Sequence, residues 1–563
     1  MSRQQGNPLH VDRTRQHRRP SRPPAQCHGP ASATRAHAHA PSLWLPAVGV
    51  LAVFFLVVGA PRVSADPQPP AEGVEVLQER PATGNDLRAP RAHNSPELAA
   101  DPTDEEFVAL ANRLDNPDFS CALQVSGDGG RAWAPVDPVP QLPEGAEKCY
   151  APQIAFDADG TLYYLFVALA GRGNRPVGVY LTTSEDQGRS FSPPRQVLGE
   201  GNYQVRMTID RSVGERGRIH LVWLRTSQEP SLGGLPAPPN PIVAAHSDDG
   251  GETFSEPVQV SDPQRHARAV APAVTVGVDG TLHVVHYDLR DDARDYQGLE
   301  GPVWQGHWSV VASTSRDAGE SFEPSVVVDD AVVPPERVML IFTMPPPAVA
   351  ADEDGNVYAA WHDGRNDDWD AFAARSHDDG ASWSGPVRIN DDPDGGGAHQ
   401  LLPQVSVAPD GRLDAVFFDR RKDPDNVAQH VYYAASRDRG QSFGSNVAVT
   451  RFSSSSQAGA QYAVPSAQGK VELGLGLALR SQNDGALAAW PDARHALPGT
   501  AQQEIFTTLV RQETQPASTA LGWLAGAVAA GVVIAVTGWG IRRRRRRGLL
   551  QSDIATEAAT TGA

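Results

Sequence analysis

From Pro347 to Arg365 the chain reads "PAVAADEDGNVYAAWHDGR": a short apolar run, a D-G turn, then a second run in which aromatic and β-branched residues alternate with smaller ones. Side chains on a strand alternate faces, and D-G between two such runs is a hairpin signal. The same line returns as "PQVSVAPDGRLDAVFFDRR" (Pro403 to Arg421), "PAVTVGVDGTLHVVHYDLR" (Pro272 to Arg290) and, more loosely, "PQIAFDADGTLYYLFVALAGR" (Pro152 to Arg172). A third strand such as "DAFAARS" follows, and a fourth such as "GPVRIND" closes the unit. Four antiparallel strands repeated at about 60 residues predict an all-β propeller, one unit per blade. The units fall near residues 95–140, 152–198, 203–260, 270–328, 345–390, 403–450 and 475–510. That arithmetic gives seven blades, with six as the alternative if the first or last unit packs outside the ring. The last unit supplies three strands, and "GVEVLQER" (Gly73 to Arg80) is the candidate for its missing outer strand. Such closure would hide two unpaired sheet edges.

Between third and fourth strands the chain writes S-x-D-x-G-x-x-(F/W) six times, with aspartates Asp128, Asp186, Asp249, Asp317, Asp378 and Asp438. The glycine suits positive φ, the aspartate accepts backbone N–H bonds across the turn, and the aromatic suits the seam between blades. Six copies of one turn describe a fold staple, and six equivalent catalytic aspartates are not expected.

These turns on four-stranded units resemble the bacterial neuraminidase (BNR) or Asp-box repeats of the sialidase superfamily, over about residues 73–511. The resemblance implies that the boxes lie on the face opposite the active site. It also implies an active site in which three arginines hold the sialic-acid carboxylate, a tyrosine activated by a glutamate is the nucleophile, and an aspartate is the general acid. On the connections entering the innermost strands, Arg206, Arg268 and Arg337 are the candidate arginines and Tyr462 the candidate nucleophile, with Tyr203 as its alternative. The superfamily's N-terminal F/Y-R-I-P motif has no counterpart beyond "QERPAT" (Gln78 to Thr83). Two functions follow: a propeller recognising glycans or cell-surface partners, or an exo-α-sialidase or related glycoside hydrolase.

The ends set the compartment. An Arg-, His-, Pro- and Ser-rich front precedes the apolar run Leu43 to Ala60 and a small-residue pattern at Val63-Ser64-Ala65, so residues 1–65 read as a signal peptide with a long basic n-region. An uncleaved anchor is the alternative. Residues 66–94 read as a linker carrying the ring-closing strand, and 95–511 as the propeller ectodomain. The run 519–541 carries no charge and is followed by six arginines (Arg542 to Arg547), the pattern of a transmembrane helix with a cytoplasmic tail at 542–563. The chain therefore reads as a single-pass cell-membrane protein with its ectodomain outside. Its total charge is −18; taking away +7 for residues 1–65 (eight Arg, Asp12) and +4 for 516–563 (six Arg, Asp553, Glu557) leaves −29 on 66–515. A surface so acidic repels nucleic acid, which is not expected as a partner. With Cys27 ahead of the cleavage pattern, Cys121 and Cys149 are the even pair expected to form a disulfide.

A D-x-R tripeptide ends the second strand in four units: Asp288/Arg290, Asp363/Arg365, Asp419/Arg421 and Asp492/Arg494. Residues two apart on a strand share a face, so internal or inter-blade pairing is expected, with ligand contact as the second reading. His283 and His286 alternate faces and make a poor metal pair. Asp391, Asp392 and Asp394 form an acidic loop for which calcium is the alternative to a solvated turn. No cofactor is expected.

Overall fold

The computed structural model describes residues 73–512, except for 85–89, 117, 138–139, 173, 226–238, 293–304, 335–345, 456–457, 460–475 and 498–499. The propeller lies within the unit Gln68–Ala563, and residues 1–67 lie outside the described residues. Among the described residues no helix is long and apolar enough to cross a membrane, and the run 519–541 lies outside them.

Seven antiparallel sheets make seven blades. Their innermost strands are His93–Asp101, Lys148–Phe156, Asn202–Asp210, Ala269–Val276, Ala348–Ala351, Gln400–Val407 and Ala478–Gln482. The six-bladed alternative is thereby excluded. Blade seven takes its second and third strands from Gly485–Asp492 and Glu504–Gln512, and its outer strand from the start of the chain. Val74 pairs with Gln512, Glu75 with Arg511 and Val76 with Val510, and Arg80–Pro81 adds a second short pairing to the same strand. The ring is closed by segments that are 436 residues apart at the central pair, Glu75 with Arg511.

The apolar residues that alternate along each strand bury themselves between neighbouring blades, so the core is a set of seams. Leu165, Leu181, Met207 and Trp223 join blades two and three; Tyr358, Ala360, Val405 and Phe417 join five and six; Phe418, Tyr433, Trp490 and Phe506 join six and seven. Each box aromatic enters its seam as its position in the repeat requires. Trp133 of blade one, for example, packs on Leu487 and donates its indole N–H to Thr507 of blade seven at 3.0 Å.

Five innermost strands break register where a non-glycine residue adopts positive φ: Ser95 (51°), Ala151 (47°), Gln204 (53°), Ala271 (54°) and Leu402 (54°). Proline follows in four of the five (Pro96, Pro152, Pro272, Pro403), where its missing N–H costs the ladder little. Such bulges re-aim the side chains that follow them.

Cys121 and Cys149 form a disulfide across the seam of blades one and two, 28 residues apart. A loop of that size constrains the unfolded chain by about 3–4 kcal/mol. The Cys121→Ser/Cys149→Ser double variant should lose about that much in guanidinium unfolding; an unchanged midpoint would contradict it.

Candidate functional site

The six boxes share one construction. In blade six the Asp438 carboxylate accepts the Ser436 hydroxyl at 2.8 Å and the backbone N–H groups of Gln441 and Ser442 at 3.0 and 2.9 Å, while Gly440 N–H donates back to the Ser436 hydroxyl. Burial works against the charge, but these bonds hold the Asp438 carboxyl down at about 2. The box glycines lie on the preceding blade: a Cβ on Gly319 would sit 2.9 Å from the His220 ring, and one on Gly440 3.3 Å from the Tyr358 ring. The carboxylates are thus consumed inside their own turns. Asp438→Ala should cost roughly 2–3 kcal/mol without touching ligand binding, since a charged acceptor of several bonds is lost; thermal unfolding beside a binding titration checks both halves.

The D-x-R tripeptides are also largely consumed. The guanidinium of Arg365 pairs with Asp363 at 2.6 Å and reaches Asp329 of blade four, Arg421 pairs with Asp419 at 2.7 Å and reaches Asp391 of blade five, and Arg494 pairs with Asp492 at 2.6 Å and with Glu79 of the closing segment at 2.7 Å. Each lies over a third-strand aromatic of its own blade, Phe372, Tyr432 and Phe506, at 4.4–4.5 Å. Burial pulls Arg421 and Arg494 down, but the carboxylates outweigh it and hold both above the ordinary arginine value. Blade four departs: Asp288 accepts from the His266 ring at 2.9 Å, and Arg290 donates to the Asp330 carbonyl. The acidic loop is similarly paired, Asp391 and Asp392 with Arg421 and Asp394 with Arg388. His283 lies beneath the box of blade five near Thr314 and His286 beside His266; among the described residues no three metal-type ligands converge.

On the opposite face, where innermost strands begin and second strands end, the structure places two of the four nominated residues. Arg206 follows the bulge at Gln204 and turns to the propeller axis. Its Nε donates to the Pro272 carbonyl of blade four at 3.2 Å, and its Nη1 meets Glu97 of blade one at 3.6 Å. Gln153 of blade two donates to the same Glu97 carboxylate at 2.8 Å, so three innermost strands are tied across the axis. Burial lowers the Arg206 guanidinium and raises the Glu97 carboxyl, each effect opposed by the other partner. Glu97 keeps 40% of its side chain exposed, against 11% for Arg206, so water there limits its shift. Arg268 is half-buried at the entry to blade four, its carbonyl accepting the Leu289 N–H. Arg337 and Tyr462 lie outside the described residues. Of the three nominated arginines, Arg206 has Glu97 as its partner, and a triad would need Arg337, which lies outside the described residues.

A second cluster on this face was not marked by any motif. Trp369, in the loop after the second strand of blade five, stacks on His399, which leads into blade six, with ring centroids 4.6 Å apart and planes 17° off parallel; His362 lies 6.0 Å away. Beside them Asp368 accepts the Gly397 N–H at 2.8 Å through one oxygen, while the other has no hydrogen-bond partner in a side chain that is 2% exposed. Burial first, then the nearby Asp370 and Asp392 charges, raise the Asp368 carboxyl. Asn390 holds Asp370, Asp392 and Gln400 together at 2.6–3.0 Å and stiffens the floor. The available signal was a tryptophan in "NDDWD", four residues after the arginine of its D-x-R tripeptide, a position where the other three D-x-R loops carry none.

Residues 242–475 match the BNR repeat-like domain family, which bears out the repeat resemblance. No curated protein matches the chain. Solved structures similar to it include a protein of unknown function from Dyadobacter fermentans DSM 18053, 15% identical over 78% of this chain and 100% of that one, TM-score 0.43. A second is Hadza microbial sialidase Hz136, 13% identical over 72% and 73%, TM-score 0.38. A third is the alpha-L-arabinanase of Penicillium chrysogenum complexed with arabinobiose, 14% identical over 65% and 94%, TM-score 0.37.

Proposed function

We propose that this sialidase-like propeller is a membrane-anchored surface protein that recognises a glycan on the face opposite its Asp boxes. The observation that carries the reading is the Trp369–His399 stack with Asp368 beside it. A sugar offers an apolar C–H face to an aromatic ring and hydroxyls to fixed carboxylate and amide groups, and this cluster supplies both. Recognition is favoured over hydrolysis because Arg206, the nominated arginine that reaches the axis, already faces Glu97. A sialic-acid carboxylate there would have to displace an ion pair, not fill an open fork. Anchoring is supported by the uncharged run 519–541 and its arginine flank, and an exported location by the disulfide.

The test is a glycan array probed with the folded ectodomain and its Trp369→Ala and Arg206→Ala variants. Binding that falls at least tenfold in Trp369→Ala, with Arg206→Ala changed less, is the expected result. No glycan bound, or binding indifferent to Trp369→Ala, would reject the site.

A further inference from the structure

We infer that the propeller stands on its membrane with the Asp-box face down, so that the glycan-reading face is held away from the bilayer and meets ligands presented in trans. The inference rests on the anchored reading above.

The register shows where the chain leaves the fold. Leu413 pairs with box serine Ser436 in blade six, and Ala486 with Val510 in blade seven; Phe417 faces Tyr432 as Trp490 faces Phe506. Val510 therefore stands where the box serine stands, and Gln512 where the box aspartate stands. Blade seven has no box because its third strand is the last to leave the ring and its fourth is the first to enter. Both ends emerge on the box face: Val74 and Gln512 line, with Arg437 and Asp438, a cavity of about 310 Å³ beside the box of blade six.

Six residues separate Gln512 from Thr519, where the uncharged run begins. Fully extended, the seven Cα steps reach about 25 Å. With the box face down, that tether is ample. With the opposite face down, the exit would lie above the bilayer by the whole third strand, nine residues (Glu504–Gln512) or about 27 Å, plus the loops that rise beyond its start. The tether would also have to run round the outside of blade seven. It is too short, so the inverted pose is out of reach while the upright pose is not.

The test uses the full chain in liposomes with its disulfide intact. A dye is placed at Gln441→Cys, in the box turn of blade six, or at Leu497→Cys, on the opposite face and 52% exposed, and energy transfer to an acceptor lipid in the outer leaflet is measured. Flotation is checked first: protein that fails to float with the liposomes overturns the anchored reading, and the orientation with it. For protein that floats, transfer several-fold stronger from position 441 than from 497 is expected, and a 20-residue Gly/Ser insertion after Gln512 should shrink the difference. Equal or reversed transfer with the native tether overturns the orientation and leaves the anchor standing.

Discussion

Lowering the pH from 6.5 to 4 should unfold this propeller, with the loss centred on its buried histidines. Burial is the first cause in every case, and it depresses His93, His220, His283 and His286 to about 4; all four are 0–5% exposed. Nearby groups do not reverse it. His220 has Asp210 and Asp248 in its favour but His246 and Arg218 against, and His283 has Asp379 and Asp279 against Arg316. Asn112 bonds His93, and Tyr287 offers its carbonyl to His286. An unfolded histidine takes its proton near 6.5 and these folded ones only near 4, so between those values the unfolded chain binds more protons and acid favours it. Stability is whole above about pH 6.5 and falls as pH drops towards 4, by roughly 3 kcal/mol for each histidine, which for four approaches the total stability of a typical fold. Asp414 and Asp419, whose buried carboxyls are raised, work in the opposite sense and recover a part. Denaturant midpoints across this window check the prediction. His220→Gln/His283→Gln should flatten the slope, and a flat wild-type profile would contradict the account.

Deleting residues 66–81 should open the ring. The variant loses the three-residue ladder of Val74–Val76, the packing of Val74 and Val76 on the seam of blades six and seven, and the Glu79 partner of Arg494. At about 1 kcal/mol for each half-buried valine and 1–3 for the pair and ladder together, roughly 3–5 kcal/mol is removed. Over a propeller of this length, with an unfolding entropy of about 2 cal/mol/K per residue, that corresponds to a Tm lower by roughly 3–5 °C. The freed edge of Glu504–Gln512 then offers unpaired N–H and C=O groups to a second molecule, so self-association should appear in sizing chromatography. An unchanged Tm in a monomer would mean that the closing strand carries little of the fold.

The fold was legible because its signals are local. Period-two runs, D-G hairpins and the box turn each fit within about twenty residues, and counting them left one outer strand missing, which Val74–Val76 supplies. The pairing of D-x-R was legible for the same reason, since two residues on one strand end share a face. The axial group was half legible. Arg206 was nominated from its place before an innermost strand, but Glu97 in "SPELAAD" and Gln153 in "PQIAFD" carry no motif, and ring closure joins them across separations of 53–109 residues. Trp369 and His399 meet only because blades five and six are neighbours. The pairings of Arg337 and Tyr462 lie with residues outside those described.

The central claim is a sialidase-like propeller that reads glycans without cleaving sialosides, and turnover is its most direct test. Purified ectodomain is incubated at pH 7 with a fluorogenic sialoside, beside Arg206→Ala, Arg268→Ala and Arg337→Ala variants whose folding has been checked. The account predicts no release of the fluorophore by any of the four proteins. Sustained release by the wild type that Arg206→Ala abolishes would contradict it, and would place a sialidase site on the axis at Arg206.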